Sequence, residues 1–221
     1  MPKIGVVLSG CGVQDGSEIH EAVSVLLALD QLGAEYQCMA PDIDQLHVVN
    51  HVTSEPMPGE TRNALVEAAR IARGKAVALK TVRVSDYDGF IFVGGYGAAK
   101  NLSSYAVDGA ECTVHPEAKR LIEVAHDAGR PLCFCCISPV LAAKVLGHRG
   151  EPLLTIGNDP DTAAAIEKMN ASHVEAGVLE AVVDRDNKVV STPAYMYDNA
   201  SVSEVYAGIR QAVDELLRLI G

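Results

Sequence analysis

The sequence from Pro131 to Pro139 reads Pro-Leu-Cys-Phe-Cys-Cys-Ile-Ser-Pro, an apolar run that gives way to a helix start at Cys136. Residues 131–135 have the length and composition of a buried parallel strand, and Pro139 suits an early helical position. Cys136 is therefore expected on a strand-to-helix turn, where the helix start favours a thiolate and predicts a lowered thiol pKa. Position alone leaves two interpretations open: a nucleophile, or a buried structural cysteine like its two neighbours in the strand.

Strand and helix patterns alternate along the rest of the chain. Short apolar runs predict strands at residues 3–9, 36–39, 89–93 and 188–191, and amphipathic segments between them predict helices. This alternation indicates an α/β fold with a mostly parallel sheet and helices on both faces. Because no repeat or low-complexity linker divides the chain, we expect a single domain over residues 1–221.

Two of the expected helices have clear patterns. The last helix is predicted to start at a capping box made by Ser201 and Glu204. The first helix is predicted at residues 17–32, and its expected apolar stripe consists of Ile19, Val23, Leu26 and Leu29. Both helices are expected to bury their apolar faces against the sheet.

The charge balance excludes one class of partner. The 221 residues include 18 basic and 29 acidic side chains, which gives a net charge of −11. Nucleic-acid binding requires clustered lysine and arginine, so no nucleic-acid partner is expected. The acidic residues are dispersed, which is typical of a solvated surface.

Location and metal content are predicted from what the sequence lacks. No segment reaches the roughly 18 consecutive apolar residues that a membrane span needs, and no signal peptide precedes the first strand. We therefore expect a cytoplasmic protein without a membrane partner, in which the six cysteines are free thiols. His47 and His51 lack the further ligands of a metal site, so no metal is expected.

Three turns are the expected location of a site, because ligands bind beyond the carboxyl ends of parallel strands. They comprise residues 10–21, 94–101 and 135–139. The glycine-rich second turn can place the amide of Gly95 beside Cys136, with the amide of Ile137 as a second donor to an oxyanion. The alternative interpretation is a tight turn that simply requires glycine.

The first turn crowds three carboxyl groups, those of Asp15, Glu18 and Glu21, into one helix start. The helix dipole stabilises acidic side chains there. Glu21 shares a helix face with Ser17, so it can point back over the sheet edge and exchange a proton with a substrate beside Cys136. Spacing alone favours the alternative, a solvated helix residue.

Four motifs together resemble one family. They are Ile4-Gly-Val-Val-Leu-Ser-Gly-Cys-Gly-Val13, Asp15-Gly-Ser-Glu-Ile-His-Glu21, Gly94-Gly-Tyr-Gly-Ala-Ala-Lys-Asn-Leu102 and Thr192-Pro-Ala-Tyr-Met196. The combination is similar to the ElbB family of isoprenoid-biosynthesis proteins with an amidotransferase-like domain. The resemblance implies a flavodoxin-like three-layer sandwich, a homodimer, and a glyoxalase-type lyase that needs no cofactor. The implied substrate is glyoxal or a similar small dicarbonyl, and the implied product is a hydroxy acid such as glycolate.

The resemblance also implies roles for individual residues. The superfamily includes PfpI-like peptidases, class I glutamine amidotransferases and the parkinsonism-associated deglycase. In its members, a glutamate on the first helix contacts the nucleophilic thiol on the strand-to-helix turn. The matching positions here are Glu21 and Cys136. Candidates for the substrate pocket, all from or near the matching motifs, are Cys11, Gly12, His51, Lys100 and Asn101.

One departure from the superfamily restricts the expected chemistry. Ile137 follows Cys136 at the position where PfpI-like peptidases have a histidine. Class I glutamine amidotransferases also have a distant His-x-Glu pair, and none is expected in the last third of this chain. Neither peptide hydrolysis nor glutamine hydrolysis is therefore expected. A small, reactive dicarbonyl requires less activation than an amide, so the glyoxalase expectation stands.

Two other functions are compatible with parts of the pattern. Gly10 and Gly12 after the first strand, with Asp42 after the second, suggest a dinucleotide-dependent oxidoreductase, although acidic side chains at the helix start oppose a pyrophosphate. A redox sensor or regulatory protein, in which Cys136 is oxidised rather than turned over, would use the same thiol.

Overall fold

A seven-stranded sheet forms the centre of the structure, a computed structural model in which residues 1–220 are described. Residues 1–220 contain eleven strands, of which seven form this large sheet. The eleven strands are β1 (Lys3–Val7), β2 (Glu35–Ala40), β3 (Val49–Asn50), β4 (Glu55–Pro56), β5 (Ala76–Ala78), β6 (Gly89–Phe92), β7 (Leu132–Cys135), β8 (Leu153–Leu154), β9 (Ser172–His173), β10 (Val182–Asp184) and β11 (Val189–Thr192). The large sheet has the order β10-β11-β7-β6-β1-β2-β5. Its strands pair in parallel except for the antiparallel edge pair β10–β11.

Helices cover both faces of this sheet. They are α1 (Ile19–Gln31), α2 (Ala64–Ile71), α3 (Tyr96–Lys100), α4 (Tyr105–Asp108), α5 (Pro116–Asp127), α6 (Pro139–Gly150), α7 (Pro160–Lys168) and α8 (Val202–Ile220), with a 3₁₀ turn at Ala194–Met196. The predicted capping box of α8 is confirmed, because the Ser201 amide donates to Glu204 Oε2 at 2.8 Å and the Glu204 amide to Ser201 Oγ at 3.3 Å. Within residues 1–220, no helix combines the length and apolar character needed to cross a membrane.

Alternation along the strands produces two cores, one on each face. Phe134 of β7 stacks on Phe92 of β6 with ring centroids 4.9 Å apart, on the face covered by α5, α6 and α7. Cys133 and Cys135 point to the opposite face, toward α1 and α8. Removing a buried aromatic side chain of this kind costs about 3–5 kcal/mol. The three layers therefore fix β7, and with it the turn that carries Cys136.

The predicted fold class is confirmed: the structure is a mostly parallel α/β sandwich of the flavodoxin-like type. The predicted strands occur with ends shifted by one or two residues. Sequence patterns missed β5 and β10, because each has three partly exposed residues at a sheet edge. The expectation of one amidotransferase-like domain over residues 1–221 stays a proposal.

The predicted apolar stripe of the first helix is wrong for Ile19 and Val23, whereas Leu29 is fully buried as predicted. Ile19 and Val23 are 42% and 51% exposed, and Leu26 is only partly buried. The buried face of α1 instead consists of Glu21, Ala22, Ser24, Val25, Ala28 and Leu29. These mostly small side chains let α1 pack closely against α8, and the close packing brings the Glu21 carboxyl to the sheet edge.

Glycines allow the first and second turns to touch backbone to backbone. The Gly97 amide donates to the Gly16 carbonyl at 2.9 Å. A Cβ at Gly97 would lie 2.4 Å from Ser9 Oγ and 2.6 Å from the Gly16 carbonyl carbon. The start of α3 can therefore lie against the loop before α1 only while residue 97 has no side chain.

We expect Gly97→Ala to destabilise the protein by about 1–3 kcal/mol, the usual penalty for overpacking. The clash should outweigh the roughly 1 kcal/mol by which alanine favours a helix over glycine. Gly177→Ala is the matched control, because a Cβ there meets only the flexible Glu180 side chain at 3.3 Å. Urea unfolding midpoints measure both, and equal midpoints for the two variants would contradict the packing described.

Candidate active site

Cys136 lies at the carboxyl end of β7 in a left-handed backbone conformation, with φ of 59°. Such a conformation costs a non-glycine residue roughly 1–2 kcal/mol. Neighbouring hydrogen bonds hold it: the Cys136 amide donates to the Thr192 carbonyl at 2.9 Å, and Ser138 Oγ donates to the carbonyls of Phe92 and Cys135. The turn thus fixes a nearly buried thiol, 8% exposed, at the start of α6.

Glu21 is fully buried at the first turn of α1. Glu18 caps this helix, since its Oε2 accepts the Glu21 amide at 2.6 Å. Glu21 Oε1 accepts the Tyr195 amide at 3.2 Å. Among the described residues, Glu21 Oε2 has no hydrogen bond of full geometry, and the Cys136 thiol and the Gly94 amide act on this carboxyl only as weaker donors.

The position of Glu21 relative to Cys136 is defined by Gly94. A Cβ at Gly94 would lie 2.4 Å from Cys136 Cβ and 2.4 Å from Glu21 Oε2, so both side chains border the space above this glycine. The next residue, Gly95, has φ of 91°, and a side chain there would strike the Glu18 amide. The two glycines of this turn therefore create the room in which the thiol and the carboxyl meet.

The environment holds a proton on Glu21. Burial, and after it the charge of the neighbouring Glu18, raises the Glu21 pKa from 4.5 to about 8. The Tyr195 amide, the Cys136 thiol and the Gly94 amide oppose this rise. The carboxyl is thus adjusted to exchange a proton near neutral pH, where a general acid or base is most effective.

The predicted lowering of the Cys136 pKa is wrong. Burial raises the thiol pKa well above its ordinary value, and the charge of Glu21 raises it too. The amides of Gly95 and Ile137 act in the opposite direction by hydrogen bonding to the sulfur. The sequence pattern overestimated the helix dipole, because α6 begins only at Pro139, three residues after the thiol.

Sequence reasoning missed Tyr195, which the structure places at the site. Ala194, fully buried with φ of 46°, turns the chain after β11 so that the Tyr195 amide reaches Glu21. The Tyr195 hydroxyl lies 3.1 Å from Nδ1 of His20, which is exposed. A usable signal existed, because the Thr192–Met196 motif follows the strand that neighbours β7.

The expectation that the last third of the chain contains no His-x-Glu pair is wrong. His173-Val174-Glu175 has the His-x-Glu spacing found in class I glutamine amidotransferases. In the structure His173 belongs to β9, and its Nε2 accepts the Ile156 amide at 3.4 Å. Burial lowers the pKa of this imidazole. It is not among the principal groups that influence the pKa of the Cys136 thiol, whereas Glu21 is.

The predicted pocket residues form a separate network around the first turn. His51 packs on Gly12, and its Nε2 accepts the Gln14 amide at 3.2 Å. Lys100 Nζ donates to the Gln14 carbonyl at 2.8 Å. Asp15 joins them, because its Oδ1 lies 3.9 Å from His51 Nε2. These contacts shape the loop, and a role in substrate binding remains a prediction for all of the pocket candidates.

Asn101 and Cys11 differ in their surroundings within this network: Asn101 is fully hydrogen-bonded, and Cys11 is half-buried. Asn101 Nδ2 donates to the carbonyls of Ser9 and Asp15, both at 2.8 Å, and its Oδ1 accepts the Leu46 amide at 3.0 Å. Its amide therefore has no free donor for a substrate. Cys11 is half-buried, and this burial is the main cause of its raised thiol pKa. The charge of the nearby Glu67 raises the pKa as well.

The dinucleotide alternative receives no support from the geometry. Asp15 and Glu18 are buried at the start of α1, where a pyrophosphate would have to bind. Asp42, the expected ribose ligand, accepts hydrogen bonds from Asn63 and Lys80. A carboxylate already engaged in this way is not presented toward the glycine-rich turn.

Access to Cys136 is narrow. Cavities of about 440 and 410 Å³ lie elsewhere, one at the end of α6 around Arg149 and one beside the start of α8 around Tyr197. The thiol itself is 8% exposed. Neither cavity is lined by a cysteine or a serine, so the candidate site is the Cys136 thiol with the Glu21 carboxyl. Cys136 is thus nearly closed off from solvent.

Comparisons with known proteins were made for the whole chain. A scan against models of known protein families finds no match. The chain is 47% identical to the human glutamine amidotransferase-like class 1 domain-containing protein 3, mitochondrial, over 99% of this chain and 84% of that protein. It is 45% identical to the rat ES1 protein homolog, mitochondrial, with the same coverage.

Solved structures give the same assignment. An isoprenoid biosynthesis protein with amidotransferase-like domain from Ehrlichia chaffeensis is 37% identical, covers 100% of both chains and superposes with a TM-score of 0.93. A DJ-1 superfamily protein from Salmonella typhimurium, 20% identical with a TM-score of 0.56 over 99% of this chain and 88% of that one, shares the fold. The chain therefore belongs to the ES1 and ElbB-like family of class I glutamine amidotransferase-like proteins.

Proposed function

We propose that this chain is a cofactor-independent glyoxalase-type lyase that converts glyoxal, or a similar small dicarbonyl, to a hydroxy acid through Cys136. The observation that carries the proposal is the free Oε2 of the fully buried Glu21 carboxyl beside the Cys136 side chain. A buried polar atom without a partner costs about 1–3 kcal/mol. Its retention at this point fits a group that must exchange a proton with the thiol and its substrate.

The reactive state of this pair contains a single proton. Between the Glu21 pKa of about 8 and the higher pKa of the thiol, the two groups share that proton. When the proton resides on Glu21 Oε2, Cys136 is a thiolate, and the amides of Gly95 and Ile137 stabilise it. At pH 7 about a tenth of the molecules have lost the first proton of the pair.

Addition to the substrate is the first step. The Cys136 thiolate attacks one aldehyde carbon of glyoxal, and Glu21 Oε2 gives its proton to the oxygen that becomes a hydroxyl. The product is a hemithioacetal beside a Glu21 carboxylate. The amides of Gly95 and Ile137 are the candidate donors to the developing oxyanion.

Glu21 then moves a proton between the two carbons. Its carboxylate removes the hydrogen from the carbon bonded to sulfur, and an enediol forms. A proton returns to the neighbouring carbon while the hydroxyl proton shifts between the two oxygens. One carbon is oxidised and the other reduced, so the glycolyl thioester arises without an external oxidant or cofactor.

Hydrolysis completes the cycle. Water attacks the thioester carbonyl, the carbon–sulfur bond breaks, and glycolate leaves while the Cys136–Glu21 pair regains its single proton. The net reaction is glyoxal plus water to glycolate plus a proton. The narrow access to Cys136 supports a substrate of this small size.

A redox or stress sensor linked to isoprenoid synthesis is the second candidate, because a nearly buried thiol admits a small oxidant as readily as a small aldehyde. The link to isoprenoid synthesis rests on the name of the Ehrlichia relative. Steady-state consumption of glyoxal separates the two functions. Negligible turnover together with ready peroxide oxidation of Cys136 would favour the sensor.

Two properties implied at the sequence level complete the proposal. We place the protein in the cytoplasm, although the human and rat relatives are mitochondrial by name, and immunofluorescence or cell fractionation tests this. The reaction as written uses only side chains and backbone amides of this chain, so no cofactor or metal is proposed.

We predict that Cys136→Ser lowers glyoxal turnover by on the order of a thousand-fold or more, as removal of a nucleophile does. Glu21→Gln keeps the side-chain volume but cannot take up a proton, so it should lose roughly a hundred- to ten-thousand-fold. Glycolate release measured by chromatography reports both. Cys112→Ser and Glu67→Gln, which alter another buried thiol and another buried glutamate, should retain most of the activity.

Two results would contradict this proposal. If Cys136→Ser turns over glyoxal as fast as wild type, the thiol is not the nucleophile. If Glu21→Gln alone is fully active, Glu21 has only a packing role. Melting curves of the variants exclude unfolding as the cause of any loss.

We further predict a homodimer, which the family resemblance implies. Light scattering of the purified chain at micromolar concentration measures this directly. A dimer mass supports the prediction, and a monomer mass over the same range rules it out.

A further inference from the structure

Glu18 is fixed at the site on both its backbone and its side chain. Its amide donates to the Gly94 carbonyl at 3.1 Å, and its Oε2 accepts the Glu21 amide at 2.6 Å. The residue is 8% exposed. The α1 cap is thus a nearly buried carboxylate one helical turn before Glu21, anchored to the same glycine turn that borders Cys136.

Few other charged or titratable groups face Glu21. From its own helix the principal one is Glu18. From β7 and the turn after it come the thiols of Cys135 and Cys136. From the 3₁₀ turn at Ala194–Met196 comes Tyr195, whose hydroxyl contacts the His20 imidazole. No lysine or arginine is among the principal groups acting on Glu21.

We infer that Glu18 is a positioning residue that shifts the proton of the thiol–carboxyl pair toward Glu21 Oε2, by placing a negative charge beside that carboxyl while capping its helix. The cap requires only an acceptor oxygen, and asparagine, serine or threonine can supply one. A nearly buried glutamate adds a charge that the cap does not need. That charge opposes ionisation of Glu21.

The remaining geometry determines which oxygen carries the proton. Glu21 Oε1 already accepts the Tyr195 amide, and a protonated oxygen there would lose this bond. Oε2 has no such partner among the described residues. With Glu18 keeping Glu21 protonated, the proton therefore resides on the oxygen that faces the thiol. The electrostatic effect of Glu18 on Glu21, second only to burial, agrees with this arrangement.

The test is Glu18→Gln, whose side-chain oxygen still accepts the Glu21 amide but has no charge. Carboxyl-carbon NMR follows the titration of Glu21, assigned by loss of its signal in Glu21→Gln. The Glu21 midpoint should fall from about 8 by about one pH unit, the scale on which a neighbouring charge acts. Asp159→Asn, a helix cap on α7 that binds the Thr162 amide, is the control and should leave the midpoint unchanged.

A second variant separates charge from capping. Glu18→Asp keeps a carboxylate and a favourable cap residue, so it should hold the Glu21 midpoint near that of wild type. The inference is overturned if Glu18→Gln titrates like wild type, or if Glu18→Gln and Glu18→Asp shift the midpoint equally. A Glu18→Gln protein that does not fold leaves Glu18→Asp to decide, since a shifted midpoint in that variant also overturns it.

The inference rests on the proposed function only where turnover is measured. In a glyoxalase, the rising limb of the pH–rate profile should move to lower pH in Glu18→Gln, together with the Glu21 midpoint. If wild type does not consume glyoxal, the proposed function fails while the NMR titration still decides the role of Glu18. If turnover is robust and the midpoint does not move, only the inference fails.

Discussion

The rest of the site depends on one constraint: a fully buried carboxyl, that of Glu21, must share the space above Gly94 with a nearly buried thiol. No side chain larger than hydrogen fits at residue 94 while both groups are present. The left-handed backbone at Cys136 and at Ala194 helps to bring these two groups together. The orientation of α1, which leaves its apolar outer face exposed, contributes as well. Their common effect is to bring the ends of β6, β7 and β11 and the start of α1 to one point.

The arrangement reduces the stability of the fold. Non-glycine residues in left-handed conformations are tolerated only where the surrounding structure fixes them, and here Cys136 and Ala194 both adopt one. The raised Glu21 pKa has a further effect with a defined sign. Between 4.5 and about 8 the native state holds a proton that the unfolded chain has released, so this residue makes the protein less stable as pH rises through that range.

Much of the fold and part of the site follow from local sequence patterns. The apolar run of β7, the turn at Cys136 and Pro139 are contiguous, so their geometry was predictable, as was the capping box at Ser201. Long-range effects were not. Burial raised the thiol pKa where a lowering was expected. The buried face of α1 consists mostly of small residues rather than of the predicted apolar stripe. Tyr195 contacts Glu21 from 174 positions away in sequence.

The most direct test of the central claim, that Cys136 and Glu21 share one proton, is the pH dependence of Cys136 alkylation followed by peptide mass spectrometry. Wild type should show two steps, the first near pH 8 as Glu21 loses its proton to leave the singly protonated pair, and the second at higher pH. Glu21→Gln should show one step, below the upper step of wild type, because a like charge has been removed. Cys11 in the same digest serves as the internal control. Identical single-step curves for Cys136 in wild type and Glu21→Gln would contradict the shared proton.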